Sequence, residues 1–178
     1  RDFKSPSVPH PNGAVDAYSD LATIGLELAF SDLIILERRE ERLMREMKAA
    51  KTSDRDRIRR DSALITRLKS GLEADVPIRE QKLSSDERRS IADYQFLTEK
   101  PLLIVFNIGE EQLHDSGTQE REMASRLGRP GVVTTAMCGK IEMELAQMAP
   151  DEERQFRTSM DLGESGSGKM IHLSYSLL

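Results

Sequence analysis

The first long pattern of apolar and polar positions in the chain is helical. From Leu21 to about Ala50, apolar residues recur at steps of three, four or seven, and charged residues occupy the opposite side. The apolar set comprises Leu26, Phe30, Leu33, Leu36, Leu43 and Met47. We predict one long helix over this stretch, with Asp20 as its N-cap.

A second helical pattern follows a break at residues 51–54. Its apolar positions are Ile58, Ile65, Leu68 and Leu72. Because the connection is short, we expect the two helices to fold back as an antiparallel hairpin that shares one apolar seam. The spacing from Ser84 to Glu87 is that of a capping box and predicts a short helix that ends near Phe96.

The pattern changes to that of an α/β fold further along the chain. Residues 102–106 are all apolar, which is typical of a strand buried in a parallel sheet. A helix at about 118–127, a strand at 132–135 and a helix containing Ile141 follow. This order is that of a doubly wound α/β fold. Two more helices are predicted between Pro150 and Leu178, and Pro6, Pro9 and Pro11 predict an extended loop over residues 1–18.

Composition and charge exclude several function classes. Aromatic residues make up 4% of the chain and Trp is absent, which is unfavourable for a stacking platform on single-stranded nucleic acid. The net charge of -5 argues against a broad face for DNA phosphates. The single cysteine, Cys138, excludes an internal disulfide framework. No apolar run approaches the roughly 18 residues of a membrane span, so we expect no membrane partner.

Two loops that follow predicted strands carry candidate chemistry. Asn107-Ile108-Gly109-Glu110 comes after the first strand, where α/β folds bind ligands, and an Asn amide can both donate to and accept from a nucleobase edge. G-domain GTPases place an Asn-Lys-x-Asp motif here; this chain has Ile108 and Glu110 instead. A plain polar turn is the alternative interpretation. Cys138-Gly139-Lys140 follows the second strand, and we expect Cys138 to be structural or to pack near a base rather than to act as a nucleophile.

Other motifs favour structural interpretations. Gly163 to Lys169 matches the first seven positions of a P-loop, but Met170 replaces the Ser or Thr that binds Mg²⁺, and no strand is predicted before it. We interpret it as a glycine-rich turn. The three histidines show no ligand spacing, so we expect no metal site. The arginine-rich residues 55–60 form either a solvated face or a contact for RNA phosphates.

Longer stretches resemble the Obg-like ATPases, the YchF family. The resemblance covers nearly the whole chain in order. It is carried by Asp20–Asp32 (DLATIGLELAFSD), Leu97–Glu110 (LTEKPLLIVFNIGE) and Gly139–Met148 (GKIEMELAQM), with support from 8–16 and 162–178. It implies the distal half of a P-loop NTPase G domain, an α/β fold with flanking helices and helix-rich overall. Residues 1–19 and 97–178 would belong to the G domain, and 20–96 would form an inserted coiled-coil arm.

The resemblance also implies a nucleotide site. Asn107 would meet the adenine edge, Ile108 would contact the nucleotide and Glu110 would disfavour guanine, so that ATP is preferred to GTP. The Cys138-Gly139 loop would close the base pocket from the other side. Phe3 is similar to a phenylalanine that lies near the base in the family.

The activity implied is that of a cytoplasmic, ribosome-associated ATPase that uses Mg²⁺. The family's P-loop and Mg²⁺ ligands would precede Arg1, and its TGS domain would follow Leu178. We therefore expect this segment by itself to contain no catalytic residues and to hydrolyse no ATP. The alternative is an interaction module that needs no nucleotide and docks on the ribosome or another partner through the helical arm.

Overall fold

Helices dominate the computed structural model, which describes residues 1–3, 9–10 and 13–178. Its α-helices are α1 (Ala17–Ala49), α2 (Thr52–Glu73), α3 (Ser85–Ile91), α4 (Ser116–Leu127), α5 (Gly139–Leu145), α6 (Pro150–Ser159) and α7 (Gly166–Leu177). The strands are β1 (Leu102–Asn107) and β2 (Val132–Met137). Short 3₁₀ turns lie at 78–80, 92–94, 97–99 and 110–115. None of the helices in the described part of the chain is both long and apolar enough to cross a membrane.

The chain divides into two compact units. One, which we call the α/β unit, comprises Arg1–Ser19 and Leu102–Leu178. The other, the helical unit, comprises Asp20–Pro101 and so extends beyond residue 96, where the sequence placed the end of the arm. The helix-rich α/β fold class predicted from the sequence is confirmed.

Helix α1 begins earlier than the sequence analysis predicted. The Asp16 carboxylate accepts hydrogen bonds from the backbone N–H groups of Tyr18 and Ser19, each at 3.1 Å. It thereby satisfies donors that the first turn of a helix leaves unpaired. The assignment of Asp20 as the N-cap was wrong, because Asp16 caps the helix and Asp20 lies inside it. Pro6 and Pro11 fall outside the described residues.

In the helical unit, α1 and α2 share one apolar core. Two residues separate these helices, and the core takes side chains from both. Its fully or nearly fully buried members on α1 and α2 are Leu36, Leu43, Ile58, Leu64, Ile65, Leu68 and Leu72. Lys69 on α2 also donates to Glu40 on α1 at 3.2 Å. Since isolated helices are marginal in water, this shared seam stabilises both.

A buried carboxylate fixes the end of the helical unit to α1. Asp32 is 0% exposed, and its two oxygens accept from the N–H groups of Leu97 at 2.9 Å and Thr98 at 2.7 Å. The Thr98 hydroxyl in turn accepts from the N–H of Ile78 at 3.3 Å. Residues 97–101 are therefore part of the helical unit. The capping box predicted at the start of α3 is confirmed, with Ser84 and Glu87 bonded reciprocally.

In the α/β unit, β1 and β2 form the parallel pair that the sequence predicted. Leu102 is in register with Val132 and Asn107 with Met137, so both strands end at the same edge. Helix α4 makes the crossover between them. The core beside the sheet contains Ala17, Phe106, Ile108, Met123, Ala136 and Cys138.

Hydrogen bonds to Glu142 connect α6 and α7 to α5. Arg157 on α6 donates to both oxygens of Glu142 on α5, at 3.1 and 2.7 Å, and to Glu153 at 2.8 Å. The second Glu142 oxygen also accepts from the N–H of Gly166 at 2.9 Å. Burial would raise the pKa of Glu142, but the bonds from Arg157 and Gly166 outweigh it and hold that pKa below its usual range.

Candidate functional site

The carboxyl ends of β1 and β2 bring the two predicted loops together. The side-chain oxygen Oδ1 of Asn107, the last residue of β1, accepts a hydrogen bond of 3.0 Å from the backbone N–H of Gly139. Gly139 is the first residue of α5, just beyond β2. The carboxyl edge of a parallel sheet is where α/β folds bind ligands, so the bonded pair lies at the expected place for a site.

This bond fixes which way the Asn107 amide faces. A backbone N–H can only donate, so the atom that faces Gly139 must be the amide oxygen. The Asn107 side chain is exposed, and the bond to Gly139 uses neither of its Nδ2–H donors. The oxygen also keeps a second lone pair. Asn107 therefore offers a donor and an acceptor side by side to an incoming group.

The absence of a side chain at Gly139 leaves room for the Asn107 amide. A Cβ atom placed there would lie 3.2 Å from Asn107 Oδ1 and 3.5 Å from Nδ2. A side chain at this position would have to displace the Asn107 amide by a few tenths of an ångström.

A second hydrogen bond, between Glu110 and Lys140, joins the same two loops. The ammonium of Lys140 donates to Glu110 Oε1 at 2.5 Å. The Glu110 side chain is 47% exposed and that of Lys140 is 63% exposed. The hydrogen bond to Glu110, together with the charges of Glu110 and Glu144, raises the pKa of Lys140.

Two of the predicted site residues face the core instead of the solvent. Ile108 is 1% exposed and packs in the core of the α/β unit, and Cys138 is 4% exposed in the same cluster. The Ile108 side chain packs in this core, and its contact with a nucleotide stays a prediction. Cys138 has a structural place, as the sequence analysis allowed.

The N-terminal residues lie along the same end of β1. Asp2 forms a parallel bridge with Ile108, and its N–H donates to the carbonyl of Asn107 at 2.8 Å. Phe3 comes next and is partly buried, with the guanidinium carbon of Arg1 at 5.8 Å from its ring centroid. The backbone thus brings Phe3 into the neighbourhood of Asn107.

The glycine-rich segment was predicted to be a turn, and the structure shows that its second half is already helical, because α7 begins at Gly166. It follows α6 rather than a strand, and the Ser165 hydroxyl caps α7 by accepting from the N–H of Gly168 at 3.1 Å. Its lysine, Lys169, is bonded to Glu120. Burial tends to raise the pKa of Glu120, but the bonds from Lys169, the Ala136 N–H and Thr135 outweigh it and lower that pKa. A lysine held in this way is committed to an ion pair and not to a phosphate.

The contact between Glu110 and Lys140 was not predicted from the sequence. Both residues lay in loops that the sequence analysis had singled out, but they are 30 residues apart. The register of β1 and β2, which brings the loops together, is a tertiary feature. No group of three or more His, Cys, Asp or Glu side chains that could hold a metal ion occurs among the residues that the structure describes.

Comparisons with known proteins cover the entire chain. It is 32% identical to the ribosome-binding ATPase YchF of Bacillus subtilis over 183 aligned positions, and 31% identical to that of Pasteurella multocida over 180. Each match includes 100% of this chain and 48% of the relative, so the chain spans about half the length of the curated relatives it matches. No protein-family model matches the chain.

A solved structure has the same fold. The YchF GTPase of Schizosaccharomyces pombe superposes with a TM-score of 0.83 over 99% of this chain and 48% of its own, at 23% identity. The resemblance that the sequence analysis drew from short stretches is thereby confirmed along the full length.

Proposed function

We propose that the chain is part of an Obg-like, ribosome-associated NTPase of the YchF family, whose members it resembles along its whole length, and that its α/β unit recognises the adenine base of ATP. The observation that supports this most strongly is the Asn107 amide, whose oxygen is oriented by the N–H of Gly139 and whose NH₂ group remains available.

Adenine matches this amide better than guanine does. Along one edge, adenine presents the N7 acceptor beside the N6 amino donor, and Asn pairs with both. Asn107 Nδ2 would donate to N7 while Oδ1 accepts from N6. Guanine has the O6 acceptor in place of N6, so O6 would face Oδ1. The amide cannot rotate to correct this without giving up its bond to Gly139.

The other predicted residues take supporting roles in this proposal. Gly139 allows the loops to approach, Phe3 lies near the base, and Cys138 and Ile108 support the floor of the site from the core. Glu110 stands at the position where guanine-binding proteins use an acid, and its charge is engaged by Lys140.

Phosphate binding and hydrolysis are assigned to other parts of the protein. The residues described provide no acidic cluster for Mg²⁺, and the glycine-rich segment does not fit a phosphate, since Lys169 pairs with Glu120. Magnesium would neutralise the phosphate oxygens in the intact protein. We expect this chain by itself to be inactive as an ATPase.

A competition titration tests the proposal. Fluorescent ATP is bound to the intact protein and displaced by unlabelled ATP or GTP. We expect ATP to displace the probe at concentrations about tenfold or more below those of GTP, because discrimination by one well-placed base contact is worth about 1–3 kcal/mol. Equal displacement by the two nucleotides would contradict adenine recognition.

We propose that the helical unit contacts the ribosome. The relatives are ribosome-binding ATPases, and the exposed arginines at the start of α2 form a basic cluster. Arg57 and Arg59 pair with the nearby acids Asp61 and Asp56. Arg55 and Arg60 have no ion-pair partner in the described part of the chain. Such a cluster can replace counterions on RNA phosphates.

Charge reversal at this cluster should weaken ribosome binding. We expect the R55E/R60E variant to co-sediment with ribosomes about tenfold more weakly than the wild type and with a shallower salt dependence, because fewer counterions are released. Arg55 lies in the first turn of α2, where a glutamate is favourable, and Arg60 is exposed, so α2 should be preserved. The R88E/R89E variant, with the same change of charge on α3, is the control. Unchanged binding by R55E/R60E would exclude this cluster as the contact.

A further inference from the structure

Two parallel bonds connect the loops at the carboxyl edge of the sheet. Asn107 accepts from Gly139, and Glu110, three positions later, accepts from Lys140, one position later. The two bonds therefore join the same two loops. A base held by the Asn107 amide would lie at the same edge of the sheet as the Glu110 carboxylate and the Lys140 ammonium.

The Glu110–Lys140 pair affects which purine base the site can bind. Guanine presents N1–H and an N2 amino group, both donors, and an unpaired carboxylate facing them favours guanine. Adenine presents the acceptor N1 and has no N2 amino group, so it gains nothing from such a carboxylate. An ammonium bonded to the carboxylate neutralises its charge and occupies one of its oxygens.

We propose that Lys140 is a specificity-determining residue, which excludes guanine by engaging Glu110. This inference rests on the proposed nucleotide site and adds a mechanism for its selectivity. Glu110 by itself retains the acceptor groups that guanine requires, and the substitution of Glu for Asp lengthens the side chain without removing them. The ion pair with Lys140 engages one of these oxygens and offsets the negative charge of the carboxylate.

The environment of the pair determines how strong this effect is. In water, an exposed ion pair contributes little to stability. A bound base would shield the pair from solvent, and electrostatic interactions strengthen as water is excluded. To bind guanine, the protein would have to give up the bond to Lys140 and leave the ammonium without its partner, whereas adenine leaves the pair intact.

A double-mutant cycle on nucleotide preference tests this assignment. The dissociation constants of ATP and GTP are measured by competition for the wild-type intact protein, K140A, E110Q and the double variant. We expect K140A to shift the GTP-to-ATP preference by about five- to tenfold towards GTP, because a released carboxylate offers charge-assisted hydrogen bonds. The same substitution in the E110Q background should leave the preference unchanged, since no carboxylate is then released.

The remaining outcomes each overturn the inference. An unchanged preference in K140A would show that Lys140 does not set specificity. A shift of equal size in the E110Q background would show that Lys140 acts on the nucleotide directly. Failure of the wild type to bind either nucleotide would contradict the proposed function itself and this inference with it. E111Q, which removes the adjacent exposed carboxylate, is the matched control and should behave as the wild type.

Discussion

Replacement of Asp32 by alanine should lower the free energy of unfolding of the helical unit by about 3 kcal/mol, since a buried group that is left unpaired costs about 1–3 kcal/mol and more if a charged bond is lost. The carboxylate is fully buried and accepts from the N–H groups of Leu97 and Thr98. Alanine would leave both donors without this partner, and the Thr98 donor is buried away from water. Urea unfolding of the intact protein, followed by circular dichroism at the helical signal, measures the loss.

An exposed aspartate provides the control for this substitution. Asp93 lies on the surface of the helical unit, in the 3₁₀ turn after α3. D93A should change the unfolding free energy by less than about 0.5 kcal/mol, as surface substitutions ordinarily do. If D32A and D93A unfold at the same urea concentration, the carboxylate does not hold the end of the unit to α1.

The second large effect is expected at Asn107. N107A should weaken ATP binding by about 1–3 kcal/mol, or roughly 5- to 150-fold, because it removes both partners of the adenine edge. The N107D variant distinguishes base recognition from the contact between the loops. Its carboxylate can still accept from the N–H of Gly139, so the loops stay together, but the Nδ2 donor is lost. We expect N107D to bind ATP about as weakly as N107A, by equilibrium titration of the intact protein.

The comparison of these variants separates recognition from structure. If N107D binds ATP as the wild type does while N107A does not, the amide serves to hold the loops and not to read the base. The Q147A variant removes an exposed carboxamide just after α5 and should bind ATP as the wild type does.

Local signals in the sequence were sufficient to predict most elements and the fold class. The consecutive apolar run before Asn107 indicated the parallel strand, and the spacing of Ser84 and Glu87 indicated the capping box. Both features depend on residues near one another in the chain. The glycine-rich segment was likewise assigned to a turn, because Met170 and the missing strand contradicted a P-loop.

The remaining features depend on contacts between distant positions. Asp16 and Asp20 are both acceptable N-caps, and the structure selects the earlier one, so that Ala17 and Tyr18 lie within the helix and pack beside Phe106. The burial of Ile108 follows from the direction in which the loop leaves β1. The pairing of Glu110 with Lys140 requires the register of the two strands. Periodicity along the chain carries none of this information.

The most direct test of adenine recognition changes a single ring atom of the ligand. In 7-deaza-ATP, a carbon replaces N7, so the acceptor for Asn107 Nδ2 is lost while the shape and the phosphates remain. The dissociation constants of ATP and 7-deaza-ATP are measured for the wild-type intact protein and for N107D. The account predicts that the wild type binds 7-deaza-ATP about tenfold more weakly than ATP, and that N107D, which has no donor for N7, loses this preference for ATP. Equal binding of both ligands by the wild type would contradict the assignment of Asn107 as the residue that reads the base.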